Sequence, residues 1–599
     1  MRYRIIAFDF EVFATWWCVV FQDLKSGKQV VVENDARKLR KILSRKSDIF
    51  IGWNSKFYDQ AIAKAICTGA SNKVVKDLND WIITHHEKWW TFWWFKQGIP
   101  RFDFNTADVM DDTQFGLSLK AIEGHMKLPI VESSVPFTLE RELTRAEKDE
   151  VIRYCKYDVN MTARLIRERA DYFRTKAYLG KLAGLELPEA ISMTNAKMVA
   201  RYLGARKRTW RDERVYDIPE QLRQERIPSE VFEFFARMDD PELTDDEVFK
   251  SKLELEFCGI PTVFAYGGIH GARLNYIEGA TDSRMIVLAD VSSMYPHSMI
   301  NFGYVSRNIP DPDDFRRVVH ERMEAKRTGD EAKSDALKLV ANTTYGAMLN
   351  EYNDLYDPRM GRSVCVTGQL MLADLGQGLV DAIPNVRIIQ FNTDGVMLSL
   401  NRTSEEKYLE VCDEWCERTG YQLEHVQIQK VVQRDVNNYA VLYEDGEVEE
   451  KGGELVRGAR TVGAWNINNN ANAVATAIRD NLLYGIPVED TLNRHHNILD
   501  YQFIAKAGGK YSEVIHEVDG KEIPVQKVNR VYATKDTRYG TLRKIHAVTG
   551  SKEKIASIPD NCLVDNENEL TLDQIDLDWY AERAREKIKE FYGKEKRVS

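Results

Sequence analysis

The chain has 599 residues, enough for several folding units at ~150 residues per domain. Its 43% hydrophobic and 29% charged content excludes collagen, low-complexity disorder and a disulfide mini-scaffold. The net charge of -10 argues weakly against a phosphate-binding protein, but it is unevenly spread: residues 527–554 hold eight basic and two acidic residues, a local track that suits nucleic acid.

No apolar run approaches the ~18 residues that a membrane helix needs. The first residues, MRYRIIAFDFEVF, start like a secretory leader, but Asp9 and Glu11 interrupt the apolar region. Eight cysteines without paired spacing suit a reduced, cytoplasmic protein with scattered core thiols.

In chain order, residues 1–25 alternate as strands do around Asp9 and Glu11, and DIFIGWN (Asp48–Asn54) reads as a second, buried strand. Residues 145–172 read as a helix with Thr144 as N-cap. Residues 195–250 read as largely helical and polar. MIVLAD (Met285–Asp290) is a strand that ends in the turn VSSMYP. Residues 313–328 and 334–348 form a helical hairpin around TGDEAK. RIIQFNTDGVMLSL (Arg387–Leu400) reads as a strand hairpin turning at Asp394-Gly395. Asp578–Phe591 is a closing amphipathic helix. The fold class is multidomain, mixed α/β and α+β.

Two carboxylate constellations carry chemistry. Asp9 and Glu11 are two apart on a strand and so project to one face. Asp59 follows the second strand, and Tyr154 and Asp158 share a helical face. Four such acids suit two hard divalent ions with oxygen ligands and metal-assisted phosphodiester hydrolysis. In the C-terminal half, Asp290 ends a strand and Asp394 sits at a hairpin tip, and the two can converge across a sheet. Between them Arg322 and Lys326 share one face, as do Lys338, Asn342 and Tyr345. Three cations opposite two metal-binding acids form a clamp for a triphosphate.

These motifs resemble those of family B DNA polymerases over nearly the whole chain. DFE (Asp9–Glu11), NSKFYD (Asn54–Asp59) and YCKYD (Tyr154–Asp158) match three exonuclease motifs in order. DVSSMYP (Asp290–Pro296), KLVANTTYG (Lys338–Gly346) and FNTDG (Phe391–Gly395) match three polymerase motifs. The resemblance implies an RNase H-like exonuclease domain over 1–185, a helical connector over 186–259, a palm over 260–310 and 347–460, short fingers over 311–346, and a thumb with DNA-contacting region over 461–599. It implies that Asp9, Glu11, Asp59 and Asp158 bind two Mg²⁺, with Tyr154 placing the attacking water. Asp290, Asp394 and the carbonyl of Val291 would hold two more, Mn²⁺ being able to substitute. Arg322, Lys326 and Lys338 would grip the phosphates, Tyr295 would floor the sugar pocket, and Ser293, Asn342 and Tyr345 would line the nucleotide site.

Some positions depart from the family pattern. Asn392 stands where an acid is usual. Of the lysine–tyrosine motif that holds the primer end, only Tyr439 remains. The glycine motif is approximated by Tyr266-Gly267-Gly268, read as either a close backbone approach to single-stranded DNA or core packing. The basic run, with Lys527, Arg530, Arg543 and Lys544, reads as a thumb that follows the duplex. The 48 residues from Asp290 to Lys338 and the 56 from Lys338 to Asp394 leave no room for protein-priming insertions. Trp81, Trp89, Trp90, Trp93 and Trp94, beside His85 and His86, read as either a stacking or docking surface or an aromatic core.

The expected function is template-directed DNA synthesis with 3′→5′ proofreading on primer-template DNA, dNTPs and single-stranded 3′ ends. The expected protein is a monomer, free of membrane, compatible with replication accessory proteins, and at this size a phage or mobile-element replicase. The competing reading is an exonuclease with a non-catalytic polymerase-like half that only binds DNA.

Overall fold

The computed structural model describes residues 3–85, 88–98, 101–113, 117–456 and 469–593. It is a mixed α/β, multidomain chain that divides into two compact units. One comprises Met1–Thr194, Gly458–Asn469 and Asn497–Asp576, and the other Asn195–Arg457, Asn470–His496 and Leu577–Ser599. The segment expected as one C-terminal thumb, 461–599, is thus shared between both units, and its first residues, 461–468, lie outside the described ones.

The first unit is built on a five-stranded sheet of β1 (Arg4–Val12), β2 (Trp17–Asp23), β3 (Gln29–Glu33), β4 (Asp48–Gly52) and β5 (Thr106–Asp108), in the order β3-β2-β1-β4-β5. β1 pairs antiparallel with β2 and parallel with β4. Alternation decides what β1 does. Phe8, Phe10 and Val12 enter an aromatic core on one face. Asp9 and Glu11 take the other face, with Ala7, toward the helix Arg145–Glu168 that brings Cys155 and Val159. That helix starts where expected. Thr144 Oγ1 accepts from Glu147 N–H at 3.3 Å, and Glu147 accepts from Thr144 N–H at 2.7 Å, a capping box. It ends at Glu168, and Ala170–Leu182 continues as a separate helix.

The second unit carries a ten-stranded sheet. Its strands are β6 (Lys252–Phe257), β7 (Ile260–Ala265), β8 (Gly268–Ala272), β9 (Tyr276–Gly279), β10 (Arg284–Val291), β11 (Arg387–Asn392), β12 (Gly395–Asn401), β13 (Leu423–Asp435), β14 (Asn438–Tyr443) and β15 (Val448–Lys451). The main path runs β15-β14-β13-β10-β12-β11-β8-β7-β6, with β9 on β13. β6 occupies the end of the stretch expected as a helical connector, because 252–257 alternates exposed and half-buried residues in the two-residue period of a strand. The helix Pro358–Ala382, buried along most of its length, packs into the core beneath this sheet. The two hairpin helices are Pro312–Thr328 and Glu331–Met348, joined by Gly329-Asp330 alone. Gly329 takes φ 74° there, a left-handed cap that glycine adopts without a Cβ penalty.

Candidate active sites

In the first unit, β1, the segment after β4 and the Arg145–Glu168 helix bring four acids together. Asp59 is 1% exposed, Asp158 5% and Glu11 8%. Phe10 N–H donates to Asp59 Oδ1 at 2.9 Å, locking the Asp59 carboxylate beneath β1. Burial, then Asp59 and Asp158, push Asp9 well above the usual carboxylate range. Burial, then Asp9 and Asp158, do the same to Glu11. Burial lifts Asp59 to about 8. Like charges held this close stay ionised only with cations among them. Oxygens of Asp9 and Glu11 and the Cys155 sulfur lie within 4.8 Å of one another. The carboxylate oxygens of this set fit hard divalent ions, while the Cys155 thiol donates to the Asp9 carbonyl. Tyr154 hydrogen-bonds Asp158, as its position one turn away on the helix predicts.

Sequence reasoning missed two members of this network. Lys120, 9% exposed, pairs with both Asp158 and Glu123, the latter at 3.1 Å. Its Nζ also stands 4.7 Å from the Tyr154 ring centroid. Both residues lie on the short helix Leu119–His125. The signal was a lysine and a glutamate three apart in the helix LKAIEGH, a spacing that places them on one helical face.

In the second unit, Asp290 and Asp394 meet at one end of β10 and β12. Val291 N–H donates to the Asp394 carbonyl at 2.8 Å. The hairpin turns one residue earlier than its Asp-Gly signal predicts: the loop is Thr393-Asp394, and Gly395 already pairs with Asp290. A Cβ at 395 would stand 3.1 Å from Leu288 Cδ1 and 3.2 Å from Asp290 Oδ1. Thr393 takes φ 55°, a left-handed conformation that costs a β-branched residue ~1–3 kcal/mol and is typical of functional sites. Burial, then Asp394, Glu424 and Glu449, raise Asp290 to about 6. Burial also raises Asp394, against the pull of Lys451. This pair of hard oxygen donors fits a divalent ion.

A cavity of about 320 Å³ opens beside this pair, lined by Ser293, Met294, Tyr295, Pro296, Arg322, Lys338, Asn342, Thr393 and Asp394. Arg322 donates to Ser293 Oγ at 2.9 Å, and its Nε has no partner. Tyr295 packs on Tyr345 at 4.4 Å between centroids, so Tyr345 supports the wall instead of lining it. Lys326 is exposed and lines no part of the cavity.

β8, which begins at Gly268 of the Tyr266-Gly267-Gly268 segment, touches the turn that carries Asp394. Thr393 N–H donates to the Ile269 carbonyl at 3.1 Å, and Thr393 Oγ1 lies 3.2 Å from His270 Nε2. Tyr439 is 4% exposed, and its hydroxyl donates to Glu449 at 2.9 Å. Sequence reasoning missed Glu424, Glu449 and Lys451. Lys451 lies opposite Tyr439 in the β14–β15 ladder and reaches Asn392 Oδ1 at 3.4 Å.

The basic run needs correction. Arg530 is 0% exposed, donating to Gln502 at 2.6 Å and to the Leu128 carbonyl at 2.7 Å. Drawing a guanidinium out of such a site costs several kcal/mol, so Arg530 is a structural clamp and not a DNA contact. Lys544 pairs with Glu553 at 3.7 Å and lies over the Tyr511 ring. Lys552 pairs with Glu522 at 2.6 Å. Lys527 and Arg543 remain exposed. The tryptophan cluster splits. Trp81, Trp89 and Trp94 pack against the first unit's core, Trp90 and Trp93 are exposed, and His86 lies outside the described residues.

No protein-family model matches the chain, and no curated protein does. Among solved structures, it is similar to the family B DNA polymerase from the hyperthermophilic archaeon Pyrobaculum calidifontis. The TM-score is 0.40 at 14% identity, over 100% of this chain and 79% of that one. No helix among the described residues is long and apolar enough to cross a membrane.

Proposed function

We propose that the chain is a template-directed DNA polymerase with a 3′→5′ exonuclease, working on primer-template DNA with dNTPs and Mg²⁺. The observation that carries this reading is the cavity beside Asp290 and Asp394, which has cations on one wall and a tyrosine on another. Such a site suits a nucleoside triphosphate. Arg322 and Lys338 hold its phosphates by charge and hydrogen bonding. Tyr295 packs against the sugar and leaves no room for a 2′-hydroxyl. Asp290, Asp394 and the carbonyl of Val291 hold divalent ions, which when bound supply Lewis-acid stabilisation of the transferring phosphate. The primer 3′-oxygen forms the new bond to the α-phosphate, and pyrophosphate leaves.

Asp9, Glu11, Asp59 and Asp158 make the second site, which trims a single-stranded 3′ end by hydrolysis. Tyr154, bonded to Asp158, orients the attacking water.

A single primer-extension gel tests both halves. With dNTPs and Mg²⁺ the primer lengthens by template-directed steps; without dNTPs it shortens from its 3′ end. Shortening alone means a nuclease with a non-catalytic second half, and no change in either lane overturns the proposal.

A further inference from the structure

Trp90 and Trp93 are 53% and 46% exposed, and the scheme above uses neither. We infer that they form a stacking platform for single-stranded DNA, holding bases a few positions upstream of the 3′ end that the acid cluster of the first unit trims. This rests on the nuclease half of the proposed function and adds the surface that gathers its substrate.

Three observations carry the assignment. The first is attachment. Trp89 Nε1 donates to the Lys56 carbonyl at 3.1 Å, and Trp94 Nε1 to Thr68 Oγ1 at 3.2 Å. Lys56 lies three residues before Asp59, and Thr68 caps the far end of the helix Asp59–Cys67. The tryptophan cluster thus grips both ends of the helix that Asp59 opens. Three residues span at most ~11 Å, so the cluster begins within a few nucleotides' length of Asp59. The second is bracing. Each exposed ring stands edge-to-face against a neighbour that packs on the core: Trp90 against Trp89, centroids 5.9 Å apart at 82°, and Trp93 against Trp94, at 5.7 Å and 81°. The exposed rings are therefore held before any ligand arrives, and stacking a base on them costs little side-chain entropy. Two adjacent braced rings left in water mark an interaction surface.

The third is charge. The run KWWTFWWFKQG, Lys88 to Gly98, holds six aromatic residues, two lysines and no acid, in a chain whose net charge is -10. Lys88 stands just before the single helical turn Trp89–Thr91, and Lys96 closes the next turn, Trp93–Lys96. Both lysines are exposed, and among the described residues no carboxylate pairs with either. Rings set between unpaired cations suit a single strand, since the rings stack on any base and the ammoniums meet the phosphates. An apolar partner would leave both lysines without a counter-charge.

The test is steady-state trimming of a 5′-labelled dodecanucleotide and of a trinucleotide, with fluorescence anisotropy of the labelled dodecanucleotide in chelator as a second readout. Trp90→Ala with Trp93→Ala is expected to raise KM on the dodecanucleotide ~5–150-fold, the loss of one stacked base. Its kcat is expected to stay parental, because binding that is equal in ground and transition states moves KM alone. The trinucleotide, too short to reach the platform, keeps its parental KM and kcat. Binding in chelator weakens by the same factor, and Trp90→Phe with Trp93→Phe retains most of it. Lys88→Gln with Lys96→Gln is expected to flatten its salt dependence. An unchanged KM on the dodecanucleotide overturns the inference alone. So does an equal loss on both substrates, which would mean a disturbed Asp59 helix. A parent that trims neither substrate overturns the nuclease reading. Anisotropy then still decides the platform, and equal binding by the parent and the Trp90→Ala, Trp93→Ala variant overturns it as well.

Discussion

Gly395 lies directly opposite Asp290 in the β10–β12 ladder, and a Cβ on it would stand 3.2 Å from Asp290 Oδ1. The tight fit at the glycine thus comes from a neighbouring strand and not from its own turn, whose left-handed residue is Thr393. Gly395→Ala is expected to leave the chain folded and to lower DNA synthesis by about tenfold, because the carboxylate must give by a few tenths of an ångström, less than the ~1 Å displacement that costs about a hundredfold. Steady-state extension kinetics on an exonuclease-deficient background measure it, and parental kcat would show that the carboxylate has room to move.

Asp394→Ala is expected to abolish synthesis while leaving DNA degradation intact, since Asp394 lines the cavity in the second unit and takes no part in the acid cluster of the first. Extension within about tenfold of the parent, only ~1.4 kcal/mol of barrier, would remove Asp394 from the site.

The double substitution Asp9→Ala, Glu11→Ala is expected to do the reverse. Shortening of single-stranded 3′ ends disappears, incorporation survives, and mismatched primers are extended instead of trimmed. Equal trimming rates in variant and parent would reduce these acids to part of a strand.

Tyr295→Ala is expected to admit ribonucleotides. Tyr295 lines the cavity and is braced by Tyr345, so its ring cannot easily swing aside for a 2′-hydroxyl. Exclusion by clash vanishes with the clashing atoms, while synthesis continues more slowly because the ring also orients the sugar. The measurement is kcat/KM for dNTP over rNTP on an exonuclease-deficient background. An unchanged ratio in an active variant would mean that the sugar is read elsewhere.

The buried acids of the first unit set a pH dependence of stability. Burial raises Asp59 and Glu123 to about 8 and Asp108 to about 6, against ~4 in an unfolded chain. Between those values the native state holds protons that the unfolded state has released, so stability falls as pH rises from ~4 toward 8. In a chelator, thermal unfolding of the first unit is expected at a lower temperature at pH 8 than at pH 5. Added Mg²⁺ should recover more at pH 8, where the acids are free to bind it. A flat profile in chelator would show that these acids are better compensated than their surroundings indicate.

The acids themselves were legible in the sequence because spacing on a strand or helix is local: Asp9 and Glu11 share a face by the two-residue period, and Tyr154 and Asp158 by the helical turn. So were the N-cap at Thr144 and the helical hairpin, each set by residues within a few positions of one another. What escaped depends on contacts far apart in the chain. Lys120 meets Asp158 across 38 residues, and Lys451 reaches Asn392 across 59. Arg530 looked like part of a basic track and became a core clamp, because its partners Gln502, Leu128 and Gly124 come to it only when the chain has folded. Local periodicity determines which face a side chain takes. Which charges meet on that face, and which of them are buried, is decided by packing between segments that no short window of sequence contains.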